Sequence, residues 1–303
     1  MATEHLIIES ERLDQCVARF LGSSRSQAAK LIQEGCVFFN HKKMLKASKM
    51  VAPGSTVEIR ERKVEAMAQK TSPHIHTIDL PVLYEDAHCL VIHKPAGFTV
   101  HPSETSHGQP TIIEILRAKH GNTLDLVHRL DKETTGCLLV SKDTNAHAKL
   151  QQQFVDRTVQ KAYLAIVAGV PAEKSAMIEA PIGRSLVNRV KMSLFKTGES
   201  RDARTSYEVL DSACGASLLQ CIIHTGRTHQ IRVHLSAIRH PILGDTKYGS
   251  LESGKLSKEY GIASLCLHAQ TLSFVSSAGK AVTVKAPLPN TFLESMEKFH
   301  LKI

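Results

Sequence analysis

The sequence predicts an α+β protein: a small α/β domain followed by a larger one built on a mixed, mainly antiparallel sheet with flanking helices. Three observations predict it. The length of 303 residues suits two domains at roughly 150 residues each. After Pro81, short β-branched runs recur with turn signals between them and only a few helical patterns, where an alternating parallel sheet would interleave the two. The stretch 61–80 is polar, lacks periodicity and contains Pro73, so it reads as a connection. The expected boundaries are 1–62 for the first domain, 63–80 for the linker and 81–303 for the second domain.

Within residues 1–62, apolar positions fall at helical spacing in Arg12 to Phe20 (Leu13, Val17, Phe20) and in Ser26 to Gln33 (Ala28, Leu31, Ile32). Ser24 can cap the second helix and Gly35 can stop it. Cys36 to Asn40 reads as a strand, Asn40-His41 as a turn, and Gly54 to Ile59 as a second strand entered through Pro53-Gly54. In the second domain the expected strands are Val82 to Tyr84, Cys89 to His93, Gly136 to Ser141, Lys161 to Val167, Thr205 to Leu210, Leu218 to His224, Leu272 to Val275 and Ala281 to Val284. The expected helices are Thr111 to His120, Asn145 to Phe154 and Thr228 to Ile238.

Composition narrows the function classes. A hydrophobic fraction of 42% and a charged fraction of 22% exclude wholesale disorder and a fibrous chain. No apolar run approaches the length of a membrane span, and the start, MATEHLIIESERLD, has acids where a signal peptide has bases, so a cytoplasmic protein without a membrane partner is expected. The 7 cysteines are scattered with no C-x-x-C, and the 17 histidines form neither H-x-x-x-H nor H-E-x-x-H, so neither a disulfide framework nor a metal site is expected. With 38 basic and 29 acidic residues the net charge is +9, which points to a polyanionic partner. Between Arg12 and Lys49 stand eight Lys or Arg (12, 19, 25, 30, 42, 43, 46, 49) against two acids (14, 34).

Three segments carry candidate chemistry. In V-H-R-L-D-K-E-T-T-G (127–136), feeding the apolar run C-L-L-V-S, Asp131 lies between Arg129 and Lys132, cations that favour its ionised form; such a carboxylate can act as nucleophile or as base. The kinase string H-R-D-x-x-x-x-N does not fit, because a leucine intervenes, and neither a D-F-G nor a Walker loop is present. In H-T-G-R-T-H-Q-I-R-V-H-L (224–235), Gly226 permits a sharp turn and Thr228 can cap a helix that places Arg232 and Leu235 close together on one face. In Lys161-Ala162-Tyr163, a strand aromatic with a polar tip can stack on a planar base. Arg184, Arg189, Lys191, Lys196, Arg201 and Arg204 form a further basic stretch.

The strings R-L-D-Q-C, S-R-S-Q-A-A-K-L-I-Q-E-G-C-V-F-F-N and P-G-S-T-V-E-I resemble the S4 RNA-binding module. The resemblance implies phosphate contacts to structured RNA, with Arg12, Arg25, Lys30, Lys42 and Lys43 as the expected ones. From residue 81 on, Y-E-D-A-H-C-L-V-I-H-K-P-A-G, H-R-L-D-K-E-T-T-G, K-A-Y-L-A-I-V-A-G, T-G-R-T-H-Q-I-R-V-H-L, H-P-I-L-G-D-T-K-Y-G, L-H-A-Q-T-L and K-A-P-L-P together resemble the RluA family of pseudouridine synthases. One departure is His93, where that family usually has asparagine. The resemblance implies isomerisation of uridine in RNA: the N1–C1′ bond breaks, the uracil turns, and C5 joins C1′.

Residue by residue, Asp131 is similar to the family's catalytic aspartate, Tyr163 to its active-site tyrosine and Arg232 to the arginine paired with the aspartate. Arg129 is similar to the residue that enters the RNA stack when the target nucleotide leaves it, and His128, Arg227, His229 and Gln230 are expected on the RNA beside it. Whether the carboxylate attacks C6, attacks C1′ or removes a sugar proton is left open. The implied reaction needs no cofactor. The implied partner is RNA, with large-subunit ribosomal RNA expected ahead of tRNA, and the second domain is large enough for a monomer to be expected. A non-catalytic RNA-binding assembly factor is the competing reading, and it conflicts with the presence of Asp131, Tyr163 and Arg232 together.

Overall fold

A computed structural model describes residues 2–7, 9–21, 25–60, 78–102, 109–185, 191–194 and 200–303. The chain divides into two compact units, Met1–Thr71 and Ser72–Ile303. Most of the expected linker, 63–77, lies outside the described residues, as do Ser24, Arg189 and Lys196. The end of that expected linker belongs to the second unit instead: Leu80 is buried in its core, and the Ile78 carbonyl accepts from Lys119 Nζ at 2.7 Å.

In the first unit, helices Leu13–Leu21 and Arg25–Gln33 pack on a sheet ordered Ala2–Leu6, Thr56–Arg60, Val37–Phe39, Lys42–Lys43. The apolar spacing does what it predicts, since Leu13, Cys16, Val17, Ala28 and Ile32 meet Val37, Val57 and Ile59 in one core. Gly35 follows the second helix with φ +74°, and Asn40 and His41 turn the hairpin with φ of 46° and 62°. The strand Ala2–Leu6 is an addition to the elements expected; it pairs antiparallel with Thr56–Arg60.

The second unit is built on a ten-stranded sheet, whose main path runs Ser175–Glu179, Arg204–Ala213, Ala216–Ile223, Gln160–Ala168, Leu267–Val275, Thr135–Ser141, Cys89–Lys94, Val82–Glu85. Ala281–Lys285 pairs with Leu267–Val275, and Asp125–Leu126 with Thr135–Ser141. Among the described residues every pairing is antiparallel but one, the short parallel junction of Thr135–Gly136 with His268–Ala269. At that junction Gly136 has φ +115°, and a Cβ there would stand 2.2 Å from the Ala269 carbonyl oxygen. The glycine that closes the D-K-E-T-T-G string is therefore required by close backbone approach.

The run C-L-L-V-S is apolar throughout because both sheet faces are covered: Leu138 and Val140 enter one core with Leu90, Ile92, Leu164 and Ile166, while Cys137 and Leu139 enter another with Cys89, Val91 and Phe274. Helix Ile112–His120 is capped by Thr111, the first residue of the expected helix, and Thr144–Val155 is capped by Asp143, whose carboxylate accepts from Ala146 N–H. Two helices depart from expectation by existing at all. Leu251–Glu259 buries only Ser253 among its residues, so it lacks an apolar stripe, and Asn290–Lys298 places Phe292 and Met296 in the main core.

Candidate active site

The expected helix Thr228 to Ile238 begins two residues later, at Gln230, and runs to Ala237. Thr228 is not its cap: His229 holds that position in the left-handed region, φ 56°, and Gly226 is not among the residues with positive φ. Gln230 explains the tight entry. Its Oε1 accepts from Thr225 Oγ1 and Arg227 N–H, and its Nε2 donates to the Arg204 carbonyl and Thr205 Oγ1. Both ends of the amide are engaged within the protein and the residue is buried, so Gln230 shapes the loop that lines the cleft.

The entry places His229 and Arg232 in a cleft of about 1060 Å³ opposite the loop that carries Asp131. Arg232 donates from Nη1 to Asp131 Oδ2 at 3.1 Å. Its Nε and Nη2 form a fork on Asp245, at 2.8 and 2.9 Å. Asp245 has no exposed side-chain surface and also accepts from Lys247 and Tyr248 N–H. Burial raises its pKa, but the Arg232 hydrogen bonds and charge more than reverse that, and the group stays ionised. Burial likewise opposes the charge on Arg232, and the two carboxylates outweigh it.

Tyr248 backs this arrangement, with its ring centroid 5.1 Å from the Arg232 guanidinium carbon. Its hydroxyl accepts from Met192 N–H at 2.9 Å, which leaves the phenolic hydrogen for His229 Nδ1 at 2.7 Å. A neutral His229 then carries its hydrogen on Nε2, the atom 4.0 Å from Asp131 Oδ2. Burial lowers the His229 pKa, against the pull of Asp131, and so favours that neutral form.

The Asp131 loop is held from beneath. Lys94, fully buried, donates from Nζ to the carbonyls of Pro95, Lys132 and Thr134, each at 2.9 Å. Burial pushes its pKa down to about 7 against the attraction of Glu133 and Asp131, while three carbonyl acceptors call for the three hydrogens of an ammonium. Thr134 N–H closes a turn on the Asp131 carbonyl.

Tyr163 stands on the cleft wall, 8% exposed, and among the described residues its hydroxyl makes no hydrogen bond. Burial, reinforced by Asp131, raises its pKa and keeps the phenol protonated. Arg129 is exposed on the cleft rim. His128 is otherwise engaged: its Nε2 accepts from Leu139 N–H at 3.0 Å and its ring stacks on Phe154, so it secures the loop to the sheet and is not available to RNA through that nitrogen. Arg227 lines the cleft and donates from Nε to the Asp202 carbonyl.

In the first unit, Arg12 and Arg25 both bond Asp14, Arg12 as a fork at 3.0 and 2.8 Å and Arg25 at 3.2 Å. The Arg12 hydrogen bonds, against burial and with help from Arg25, bring the Asp14 pKa down to about 2. These two cations are thus partly spent inside the unit. Lys42 and Lys43 are exposed on the hairpin, and the side chain of Lys30 lies outside the described residues.

The RNA pseudouridylate synthase family model matches residues 88–237, which include Asp131, Tyr163 and Arg232, and the S4 domain model matches residues 11–57. A Mycoplasma pneumoniae protein described as an uncharacterized RNA pseudouridine synthase is 34% identical over 98% of this chain and 95% of its own.

The chain belongs to the RNA pseudouridylate synthase family.

Another relative of this pseudouridine synthase, from Nitrosomonas europaea, is named ribosomal large subunit pseudouridine synthase D; it is 37% identical over 92% of this chain and 81% of its own. Among solved structures, human RNA pseudouridylate synthase domain containing 4 superposes with a TM-score of 0.61 at 32% identity, covering 74% of this chain and 94% of that one. The synthase is accordingly an isomerase acting on RNA, preceded by an S4 domain. No helix among the described residues is long and apolar enough to cross a membrane.

Asp245, Tyr248 and Lys94 are parts of this site that motif spacing does not announce. The first two lie in H-P-I-L-G-D-T-K-Y-G and the third in H-K-P-A-G, strings that carry the family resemblance without stating a contact. The available signal is that an acid, an aromatic and a lysine stand inside otherwise apolar or turn-forming strings.

Proposed function

We propose that this synthase isomerises uridine in large-subunit ribosomal RNA through Asp131, with Arg232 holding the carboxylate ionised and aimed. The observation that carries the reading is the single Arg232 nitrogen on Asp131 at the bottom of an open cleft, with the rest of the guanidinium fixed on buried Asp245. An aspartate held this way keeps its free oxygen for the substrate. Tyr163 supports the uracil by stacking, and Arg129 fills the space the flipped nucleotide leaves; backbone contacts offset the few kcal/mol (~2–4) of lost stacking. The first domain contributes phosphate contacts, the second the reaction, and the protein acts as a monomer. Large-subunit RNA is favoured because relatives from Nitrosomonas europaea and Zymomonas mobilis carry that substrate in their names.

The test uses RNA with tritium at uridine C5, the hydrogen expelled when C5 joins the sugar. Wild type should release tritium from an unmodified large-subunit ribosomal RNA transcript, and Asp131→Asn should release none while binding that RNA as before. Release from tRNA transcripts alone would overturn the substrate, and turnover by Asp131→Asn would overturn the residue.

A further inference from the structure

Lys161, near the start of strand Gln160–Ala168, is only 8% exposed, yet among the described residues its ammonium has no hydrogen bond and no ion pair. It lines the same cleft as Asp131 and lies 5.4 Å from the centroid of the Phe154 ring. Burial is the main influence lowering its pKa, and the charge that adds to it is that of Arg157, of the same sign. Arg157 also opposes Arg227, as does Arg201, with Asp202 the counterweight. Lys161, Arg157 and Arg227 all line the cleft. Its wall there thus gathers positive charge that Asp202 offsets only in part. Taking most of a cation out of water with only a ring face to meet it is costly, a penalty that an anion entering the cleft reduces.

We propose that Lys161, with Arg157 and Arg227, forms a subsite for one backbone phosphate of the RNA strand, beside the nucleotide that faces Asp131. The proposal rests on the reading that Tyr163 supports the target base. Lys161 and Tyr163 are two positions apart on one strand, so their side chains emerge on one face roughly 7 Å apart, about the spacing of adjacent units along a nucleic-acid strand. A single uracil carbonyl would satisfy one hydrogen but leave like charges facing each other. A backbone phosphate bears a formal negative charge, which a neutral carbonyl lacks, and its oxygens can accept from more than one cation.

The test compares wild type, Lys161→Met and Lys161→Arg binding a single-stranded oligouridylate across a series of salt concentrations, with thermal melting of each protein alongside. The Met variant should bind more weakly, with the slope of log affinity against log salt shallower by about 0.7, the value for one phosphate contact on a single strand. The Arg variant should keep the wild-type slope. The Met variant should melt no lower than wild type, since it removes a charge that burial disfavours and keeps the apolar stem. Unchanged affinity, weaker affinity with an unchanged slope, or a lowered melting temperature would each overturn the subsite. The tritium assay separates this from the reading it rests on: release from ribosomal RNA with an unaltered salt slope removes the subsite and leaves the reaction, and the converse pair of results removes the reaction.

Discussion

Arg232 reaches Asp131 with one nitrogen, Nη1 at 3.1 Å, across 101 positions of sequence. Its other two donor nitrogens are occupied by Asp245. The guanidinium is the bridge between a loop and a helix, and Asp245 is what keeps it from rotating away. Asp245→Ala should leave Arg232 buried beside one carboxylate and cost about 3–5 kcal/mol of stability, as expected for breaking a buried pair from one side. Arg232→Lys should fail to restore activity, because a point ammonium cannot serve both acids. Denaturant unfolding and tritium release measure the two effects.

His229 and Tyr248 should behave as one unit. If the Tyr248 hydroxyl sets the His229 tautomer, then His229→Ala should lower kcat about tenfold, the worth of one hydrogen bond of about 1.4 kcal/mol, with little change in KM for RNA. Tyr248→Phe should act in the same direction and add little to His229→Ala in the double variant. A rise in KM with kcat unchanged would return His229 to the role of a plain RNA contact.

Gly136 admits no side chain. A Cβ would overlap the Ala269 carbonyl at the parallel junction behind the Asp131 loop, where backbone cannot yield cheaply. Gly136→Ala should destabilise the protein by more than about 3 kcal/mol, from strain at positive φ together with the clash. Thermal unfolding of the variant checks it.

Two histidines make stability depend on pH in the acid range. Burial, with Lys161 adding to it, lowers His128 to about 3, and burial lowers His268 to about 4. Both folded values lie below that of a free imidazole, so between the two the unfolded chain binds more protons, and stability falls as pH drops through about 6.5. The slope is at most ~1.4 kcal/mol per pH unit for each group. His128 also loses an acceptor on protonation, since its Nε2 takes the Leu139 N–H. Denaturant titrations from pH 7 to pH 4 should show this loss, and His128→Asn should make the slope shallower.

By itself the sequence determined the order of the two units, most of their strands and the three segments that meet in the cleft. These features are local: apolar period, turn residues and short strings place Leu13, Val17, Leu138 and Val140 in cores without reference to distant partners. Tertiary structure decided what each polar residue touches. Gln230 and His128 stand in the same strings as Arg232 and Arg129, yet the first two are occupied by backbone groups of neighbouring strands and loops. Helix Leu251–Glu259 has too few apolar positions to be visible; Leu256 against the main core and Ser257 Oγ accepting from Gly244 N–H hold it where a stripe of its own does not. Asp245 and Lys94 are buried charges whose meaning lies wholly in their partners, Arg232 at 13 positions' distance and the loop carbonyls about 40 positions on. A buried charge is tolerable only where its counter-charge or acceptors converge, and convergence belongs to the folded chain.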